Sequence, residues 1–194
     1  VVHAGKVVGP GHDLWLKGQH GLQRHGQVAH GFQVRGFLLR RQAAFGLRRE
    51  ESIKFQPRYA DRGDHIAIKG SWAKGGRNRT VPITTPEQRA VLDEAHRLAG
   101  LGSLIPANKT YIQQRHVYDG QCKAAGLSNM HGLRHGYAQA RYLVLTGWKA
   151  PAAGGSSTQQ LTPAQHSQDQ VARQTISREL GHERLQVTMV YLGR

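Results

Sequence analysis

The sequence predicts an α+β protein that is mainly helical and carries a small antiparallel sheet of three strands. Two segments, 52–58 and 65–70, alternate apolar and polar residues and are separated by the turn sequence D-R-G-D at 61–64. This arrangement is typical of a β-hairpin. Two Thr-Pro pairs, at Thr85 and Thr162, signal helix starts, and the first is followed by Gln88 at the third helical position.

The elements are predicted in the following order. A helix over 38–51 precedes the hairpin, and a third strand over 79–83 follows a Gly-rich turn at 74–78. The remaining chain is helical, with Gly residues at or just after several helix ends. These later helices are expected over 85–99, 108–125, 130–147, 162–180 and 185–192, with a loop insertion near 149–160.

The first 42 residues differ in composition from the rest. They contain eight Gly, five His and five Gln but a single acidic residue, Asp13. Gly and His weaken both helix and strand, and no sustained hydrophobic period is present before Phe37. We therefore expect residues 1–42 to be a poorly ordered segment and residues 43–194 to form the globular domain.

The charge balance indicates a polyanionic partner. Lys and Arg number 27 against 12 Asp and Glu, a net charge of +15, and such a surplus favours binding to nucleic acid. No apolar run approaches the roughly 20 residues that a membrane span needs, and no signal-peptide pattern opens the chain. The single cysteine, Cys122, excludes an internal disulfide and favours a cytoplasmic protein with Cys122 as buried packing.

Five short motifs carry candidate functional residues. They are G-L-R-R-E-E at 46–51, W-A-K-G-G-R-N-R-T-V-P-I at 72–83, H-G-L-R-H-G at 131–136, L-G-H-E-R at 180–184 and V-Y-L-G at 190–193. In this order they resemble the catalytic domain of the tyrosine recombinases, the phage-integrase family, which shares its chemistry with type IB topoisomerases. The resemblance covers residues 43–194 and implies the fold of that domain.

The resemblance also implies an activity and a site. The activity is site-specific cleavage and rejoining of double-stranded DNA through a 3′-phosphotyrosine, without metal or other cofactor, for integration of a mobile element in bacteria. Family members assemble as tetramers on DNA. The catalytic residues implied are Arg48, Lys74, His131, Arg134, His182 and Tyr191. Supporting residues are Glu51 and His135, and DNA-binding residues are Arg49, Arg77 and Arg79.

Physical chemistry is consistent with these roles. The guanidinium groups of Arg48 and Arg134 can each contact non-bridging phosphate oxygens. The phenol of Tyr191 has an ordinary pKa of about 10 and needs a proton acceptor, for which the resemblance nominates His131. Lys74 is nominated to protonate the departing 5′-oxygen.

The roles implied for His182 and Glu51 do not involve proton transfer. His182 is expected to donate a hydrogen bond to the phosphate, and Glu51 to orient the basic cluster. His131 and His135 lie four residues apart, a spacing that can bind metal, but the acidic residue of the usual metal motif is missing.

The sequence departs from the family pattern in two ways. Arg134 and His182 are separated by 48 residues, which is long for the family and is explained by the insertion near 149–160. The first 42 residues are too short and too Gly-rich for the helical core-binding domain that usually precedes the catalytic domain. Three hypotheses follow: an active recombinase, a truncated or frame-disrupted remnant that binds DNA without cutting it, and a type IB topoisomerase.

Overall fold

The computed structural model describes residues 29–194, apart from Lys74 and Glu183. Within this range the fold is mainly helical with one small antiparallel sheet, which confirms the predicted α+β class. The α-helices are α1 Ala29–Phe45, α2 Arg49–Lys54, α3 Pro57–Ala60, α4 Pro86–Ala99, α5 Tyr111–Ala124, α6 Gly132–Thr146, α7 Pro163–Leu180 and α8 Leu185–Leu192. The strands are β1 His65–Ile68 and β2 Arg79–Pro82, and short 3-10 turns occupy Gly70–Trp72, Pro151–Ala153 and Thr158–Gln160.

The sheet of the described range has two strands, so the predicted third strand over 52–58 is wrong. β1 and β2 pair antiparallel, with His65 opposite Pro82. The segment 52–58 instead ends α2 and begins α3. Ser52 and Ile53 are both buried although they are adjacent, whereas a strand would turn them to opposite faces. Pro57 stands in the first turn of α3, where its missing N–H costs nothing.

The N-terminal boundary also differs from the prediction. Residues 29–42, which we expected to be poorly ordered, belong to α1, and the helix ends at Phe45 rather than at 51. Phe37, Leu38 and Phe45 are buried, so helix formation is driven by packing that the Gly-rich composition concealed. Residues 1–28 of the expected poorly ordered segment lie outside the described residues.

A glycine separates α1 from α2. Gly46 has a φ of 59°, and a Cβ at this position would lie 2.6 Å from Cδ1 of Tyr137 and 2.8 Å from Cδ2 of Leu180. Only glycine combines this backbone conformation with so close an approach. The turn therefore lies directly against α6 and the end of α7.

The predicted helix starts at Thr85 and Thr162 are confirmed. The Thr85 hydroxyl accepts a hydrogen bond from the backbone N–H of Gln88 at 3.2 Å, and the Gln88 side chain accepts one from the N–H of Thr85 at 3.2 Å. The same reciprocal pattern is present at Thr162 and Gln165. These caps satisfy N–H groups that the first helical turn leaves without partners.

The helices and the sheet pack around one main hydrophobic core. α1 packs on α4 and α6, α6 packs on α7 and α8, and β2 packs on α7. A second buried cluster joins α1, α2 and α5 and includes Cys122, as expected. The segments that meet at one edge of the core are therefore the turn at Gly46, the start of α6, the end of α7, and α8.

The segment 149–160, which we expected to be an insertion, contacts the end of α8. Its first 3-10 turn, Pro151–Ala153, packs on that helix, and a Cβ on Gly193 would lie 2.7 Å from the backbone N of Ala152. Arg173 on α7 adds a second contact, since its Nη1 donates to the carbonyl oxygen of Gly193 at 2.8 Å. Both contacts fix the chain just beyond Tyr191.

Candidate active site

The phenol of Tyr191 is paired with an imidazole. Its oxygen lies 2.7 Å from Nε2 of His131, which stands immediately before α6. Tyr191 is only 5% exposed, and its carbonyl oxygen accepts a hydrogen bond from Gln139 Nε2 at 3.1 Å. Burial, together with the charges of Arg134, His135 and Arg48, lowers the pKa of His131. The imidazole is therefore neutral at pH 7, and with its proton on Nδ1 it can accept the phenol proton at Nε2.

Three histidines surround the Tyr191 ring. His135 stacks on it with ring centroids 4.2 Å apart and an interplanar angle of 24°, and His182 lies at 4.9 Å. His131 meets the ring edge-on at 5.5 Å. Burial and then the charge of Arg134 lower the pKa of His135, so a neutral ring faces the phenol. His135 thus restricts the orientation of Tyr191.

Arg134 is buried beneath the tyrosine. Its Nη1 donates to the carbonyl oxygen of Gly46 and its Nη2 to that of Leu180, so it joins the α1–α2 turn to the end of α7. The guanidinium carbon lies 5.9 Å from the centroid of the Tyr191 ring. Burial first, and then the charge of Arg48, lower the pKa of Arg134 to about 10. The group stays charged at pH 7 and directs positive potential at the phenol.

His182 connects Arg134 to α8. Its Nε2 lies 3.3 Å from Nη2 of Arg134, and its Nδ1 lies 2.8 Å from Oγ1 of Thr188. Because a guanidinium can only donate, Nε2 accepts and the ring proton is on Nδ1. Burial and then the charges of Arg134 and neighbouring arginines lower the pKa of His182 to about 3. The ring is neutral, and its Nε2 has no proton to donate in this arrangement.

Thr188 is a site residue that the sequence analysis missed. It is fully buried, although it belongs to a helix whose other residues are mostly apolar. It precedes Tyr191 by three residues and so lies on the same face of α8. A hydroxyl residue one turn before the tyrosine was the available sequence signal.

Glu51 is the acidic centre of the basic cluster. Its side chain is fully buried and accepts from Arg48 Nη1 at 3.0 Å and from the Arg48 backbone N–H at 2.7 Å. Arg79 donates hydrogen bonds to both carboxylate oxygens, at 2.8 and 2.7 Å. Burial alone would raise the pKa of Glu51, but the hydrogen bonds and charges of Arg79 and Arg48 outweigh it and lower that pKa. Glu51 remains ionised and orients Arg48.

The placement of Arg79 corrects the expectation that it binds DNA. Only 5% of its side chain is exposed, and its Nε also donates to the carbonyl oxygen of Glu179 at 2.8 Å. Its donors are directed at Glu51 and at the end of α7. Arg79 therefore links Glu51 to the end of α7 inside the protein.

The other nominated cations are distributed around the site. Arg48 keeps 27% of its side chain exposed, and Arg49 is exposed and pairs with Asp119 at 2.8 Å. Arg77 is exposed on the β1–β2 turn, which the side chain of Asn78 closes by accepting from the N–H of Gly70 at 2.7 Å. Lys74, on the same turn, lies outside the described residues.

Two features are absent from the described residues. Across residues 29–194 without Lys74 and Glu183, no group of three or more His, Cys, Asp or Glu side chains could hold a metal ion. Over the same residues, no helix is both long enough and apolar enough to cross a membrane.

Comparison with known families identifies the family of the chain. The family model described as integrase matches residues 33–140, which is more than half of the chain. The chain belongs to the integrase family of tyrosine recombinases. The matched span includes Arg48, Glu51, His131 and Arg134. A comparison with curated protein sequences gives no significant match.

Solved structures share the fold of this chain at low sequence identity. The XerH site-specific recombinase bound to its difH substrate is 17% identical with a TM-score of 0.54, and the match covers 92% of this chain. The catalytic domain of bacteriophage HP1 integrase is 18% identical with a TM-score of 0.53, covering 92% of this chain and 82% of that one. The Tn1549 transposon integrase in complex with circular intermediate DNA is 12% identical with a TM-score of 0.52, covering 98% and 62%. The chain spans 47% of the XerH chain.

Proposed function

We propose that this chain cleaves and rejoins double-stranded DNA through a 3′-phosphotyrosine at Tyr191, as the catalytic part of a recombinase that integrates a mobile element. The observation that carries the proposal is the 2.7 Å contact between the Tyr191 hydroxyl and Nε2 of a neutral His131. A nucleophile within hydrogen-bonding distance of its proton acceptor is the arrangement that phosphoryl transfer to tyrosine requires.

The cleavage step follows from this geometry. The Tyr191 oxygen attacks the phosphorus, its proton passes to His131 Nε2, and the bond to the 5′-oxygen breaks. Lys74 protonates that departing oxygen. The linkage formed conserves the energy of the phosphodiester, so that attack by a 5′-hydroxyl reverses the step and needs no ATP.

Arginines stabilise the charge that develops on the phosphate. Arg48, oriented by Glu51 and partly exposed, is directed at the non-bridging oxygens from one side. Arg134 approaches from below with the hydrogen atoms that its carbonyl contacts leave over, since a guanidinium carries five. Preorganised donors of this kind each contribute about 10²–10³ in rate.

The identity of the polymer rests on charge and on relatives. The net charge of +15 favours a polyanion, and the XerH and Tn1549 proteins are described on DNA. We extend this partner to the present chain, together with assembly of several copies on DNA in a bacterial cytoplasm. The phage and transposon origin of two structural relatives supports a role in mobile-element integration.

The burial of Tyr191 favours one alternative, a protein that binds DNA and leaves it uncut. A single experiment separates the candidates. The chain is incubated with a pool of nicked duplexes whose sequence around the nick is randomised, and adducts that survive boiling in detergent are collected and sequenced. An adduct supports the recombinase chemistry, whereas retention of duplex without an adduct supports the binding-only protein.

Two controls complete the design. Tyr191→Phe should abolish the adduct while retaining duplex in a gel-shift assay, and a persisting adduct would refute Tyr191 as the nucleophile. Relaxation of supercoiled plasmid by the monomer, without sequence preference in the trapped pool, would indicate topoisomerase activity instead.

A further inference from the structure

We propose that Thr188 is a positioning residue that lets His182 exchange its hydrogen bond from Arg134 for one donated to the scissile phosphate. This inference rests on the proposed function for the second half of the exchange. The first half, control of the His182 ring by Thr188, can be observed without DNA.

The geometry gives Thr188 a single polar task. Its side chain is fully buried, and its Oγ1 lies 2.8 Å from Nδ1 of His182. The opposite nitrogen, Nε2, faces Nη2 of Arg134 at 3.3 Å. The imidazole is thus held at both ends, between an arginine that can only donate and a hydroxyl that can donate or accept.

The free arrangement is the wrong one for assisting the reaction. With Arg134 donating to Nε2, the ring proton is on Nδ1, and His182 presents no N–H toward the place of the phosphate. A phosphate competes for the same Arg134 donor, because it is a stronger acceptor than a neutral imidazole. Once Arg134 turns to the phosphate, Nε2 is released to become a donor.

The exchange balances without a change in charge. The proton on Nδ1 is lost to solvent and one is taken up from solvent at Nε2, so the ring stays neutral. The Thr188 hydroxyl then rotates about its Cβ–Oγ1 bond, from accepting the Nδ1 proton to donating its own to the Nδ1 lone pair. A carboxylate or a carbonyl at this position would fix the proton on Nδ1 and prevent the exchange.

Two matched variants test the role of the hydroxyl. Thr188→Val keeps the branched shape and removes the hydroxyl, while Thr188→Ser keeps the hydroxyl. Thermal unfolding followed by circular dichroism verifies that both are folded. The readout is the protonated ring nitrogen of His182 in the DNA-free chain, measured by ¹⁵N–¹H correlation at pH 7, and measured again after saturation with inorganic phosphate.

The expected results differ between the variants. The native chain and Thr188→Ser should carry the proton on Nδ1 and transfer it to Nε2 with phosphate. Thr188→Val should keep the proton on Nδ1 in both conditions, because Arg134 fixes it there in the free chain and no hydroxyl remains to donate to Nδ1 once phosphate is bound. Thr188→Val should also form the DNA adduct about 10-fold more slowly than Thr188→Ser, by analogy with partners that orient catalytic histidines.

Failure of this inference is distinguishable from failure of the proposed function. Transfer of the proton to Nε2 in phosphate-saturated Thr188→Val, as in the native chain, would overturn the role of Thr188, whatever the DNA result. Absence of an adduct from the native chain would refute the proposed function, and with it the DNA half of the exchange, while the tautomer measurement would still decide whether Thr188 controls the ring.

Discussion

Arg79 binds both carboxylate oxygens of Glu51, at 2.8 and 2.7 Å, in a place where neither side chain reaches solvent to any extent. Glu51 in turn holds the side chain and the backbone N–H of Arg48. The position of an arginine at the surface of the site is therefore determined by an ion pair inside the protein.

Removing Arg79 should destabilise the fold. Arg79→Met leaves the charge of Glu51 buried with one fewer partner, and breaking a buried pair from one side costs about 3–5 kcal/mol. The free energy of unfolding in urea measures the loss. Arg49→Met is the control, because its exposed pair with Asp119 should contribute no more than about 1 kcal/mol. Equal losses in the two variants would contradict the role of Arg79.

The stability of the protein should depend on the protonation of His182. Its pKa is about 3 in the folded chain and close to 6.5 when unfolded. The unfolded chain therefore binds more protons between these values, and stability falls as pH falls from 6.5 toward 3. His182→Asn should flatten this part of the profile of unfolding midpoint against pH. The exposed His166→Asn should leave it unchanged.

Replacement of His131 should slow the chemical step. His131→Gln removes the proton acceptor of Tyr191, and a loss of about 10²–10⁴ in the rate of adduct formation is expected. Since burial lowers the pKa of His131, the native rate should hold as pH falls to 6.5 and decline only at lower pH. A native rate that already declines above pH 6.5 would contradict the assignment.

His135 should act through the face of its ring. His135→Phe retains an aromatic surface against Tyr191 and should keep most of the adduct-forming rate, whereas His135→Ala releases the phenol and should slow it. Single-turnover trapping distinguishes the two. If both variants lose the rate equally, then His135 contributes through its nitrogen atoms and stacking is secondary.

Arg134 should affect both stability and activity, whereas Arg48 should affect activity with little effect on stability. Arg134→Lys leaves the carbonyls of Gly46 and Leu180 without their guanidinium, and each unsatisfied buried group costs about 1–3 kcal/mol. Arg48→Lys should reduce adduct formation with little change in the melting temperature. Paired thermal and trapping measurements on both variants test this difference, and a fully stable Arg134→Lys would refute it.

Local signals explain why much of the fold was predictable. The helix starts at Thr85 and Thr162 depend on residues within one turn, and the sequence states them directly. The prediction of a strand over 52–58 failed because the apolar and polar alternation there is equally compatible with two helical turns. Both Ser52 and Ile53 are covered by neighbours. Whether a strand or two helical turns form over this segment depends on tertiary packing, which no local pattern contains.

The site shows the same division. The motifs identified which residues to examine, and the structure brings Arg48, His131, Arg134, His182 and Tyr191 to one edge of the core. The DNA-binding role expected for Arg79 did not anticipate its burial, because its partner, Glu51, lies 28 residues away in the sequence. Thr188 was overlooked because it contacts Nδ1 of His182, the ring nitrogen opposite the one that faces Arg134. This relation exists only in three dimensions.

The two carbonyl contacts of Arg134 affect how degenerate copies of this gene would evolve. If the proposed DNA cleavage were lost from a lineage, selection for a folded protein alone would still retain Arg134 and Glu51, because both are buried within the scaffold. His131 and the exposed part of Arg48 carry no comparable structural burden and would drift first. Under the proposed function, intact Arg48 and His131 in related genes would mark continued catalysis, whereas an intact Arg134 would indicate only that the product folds.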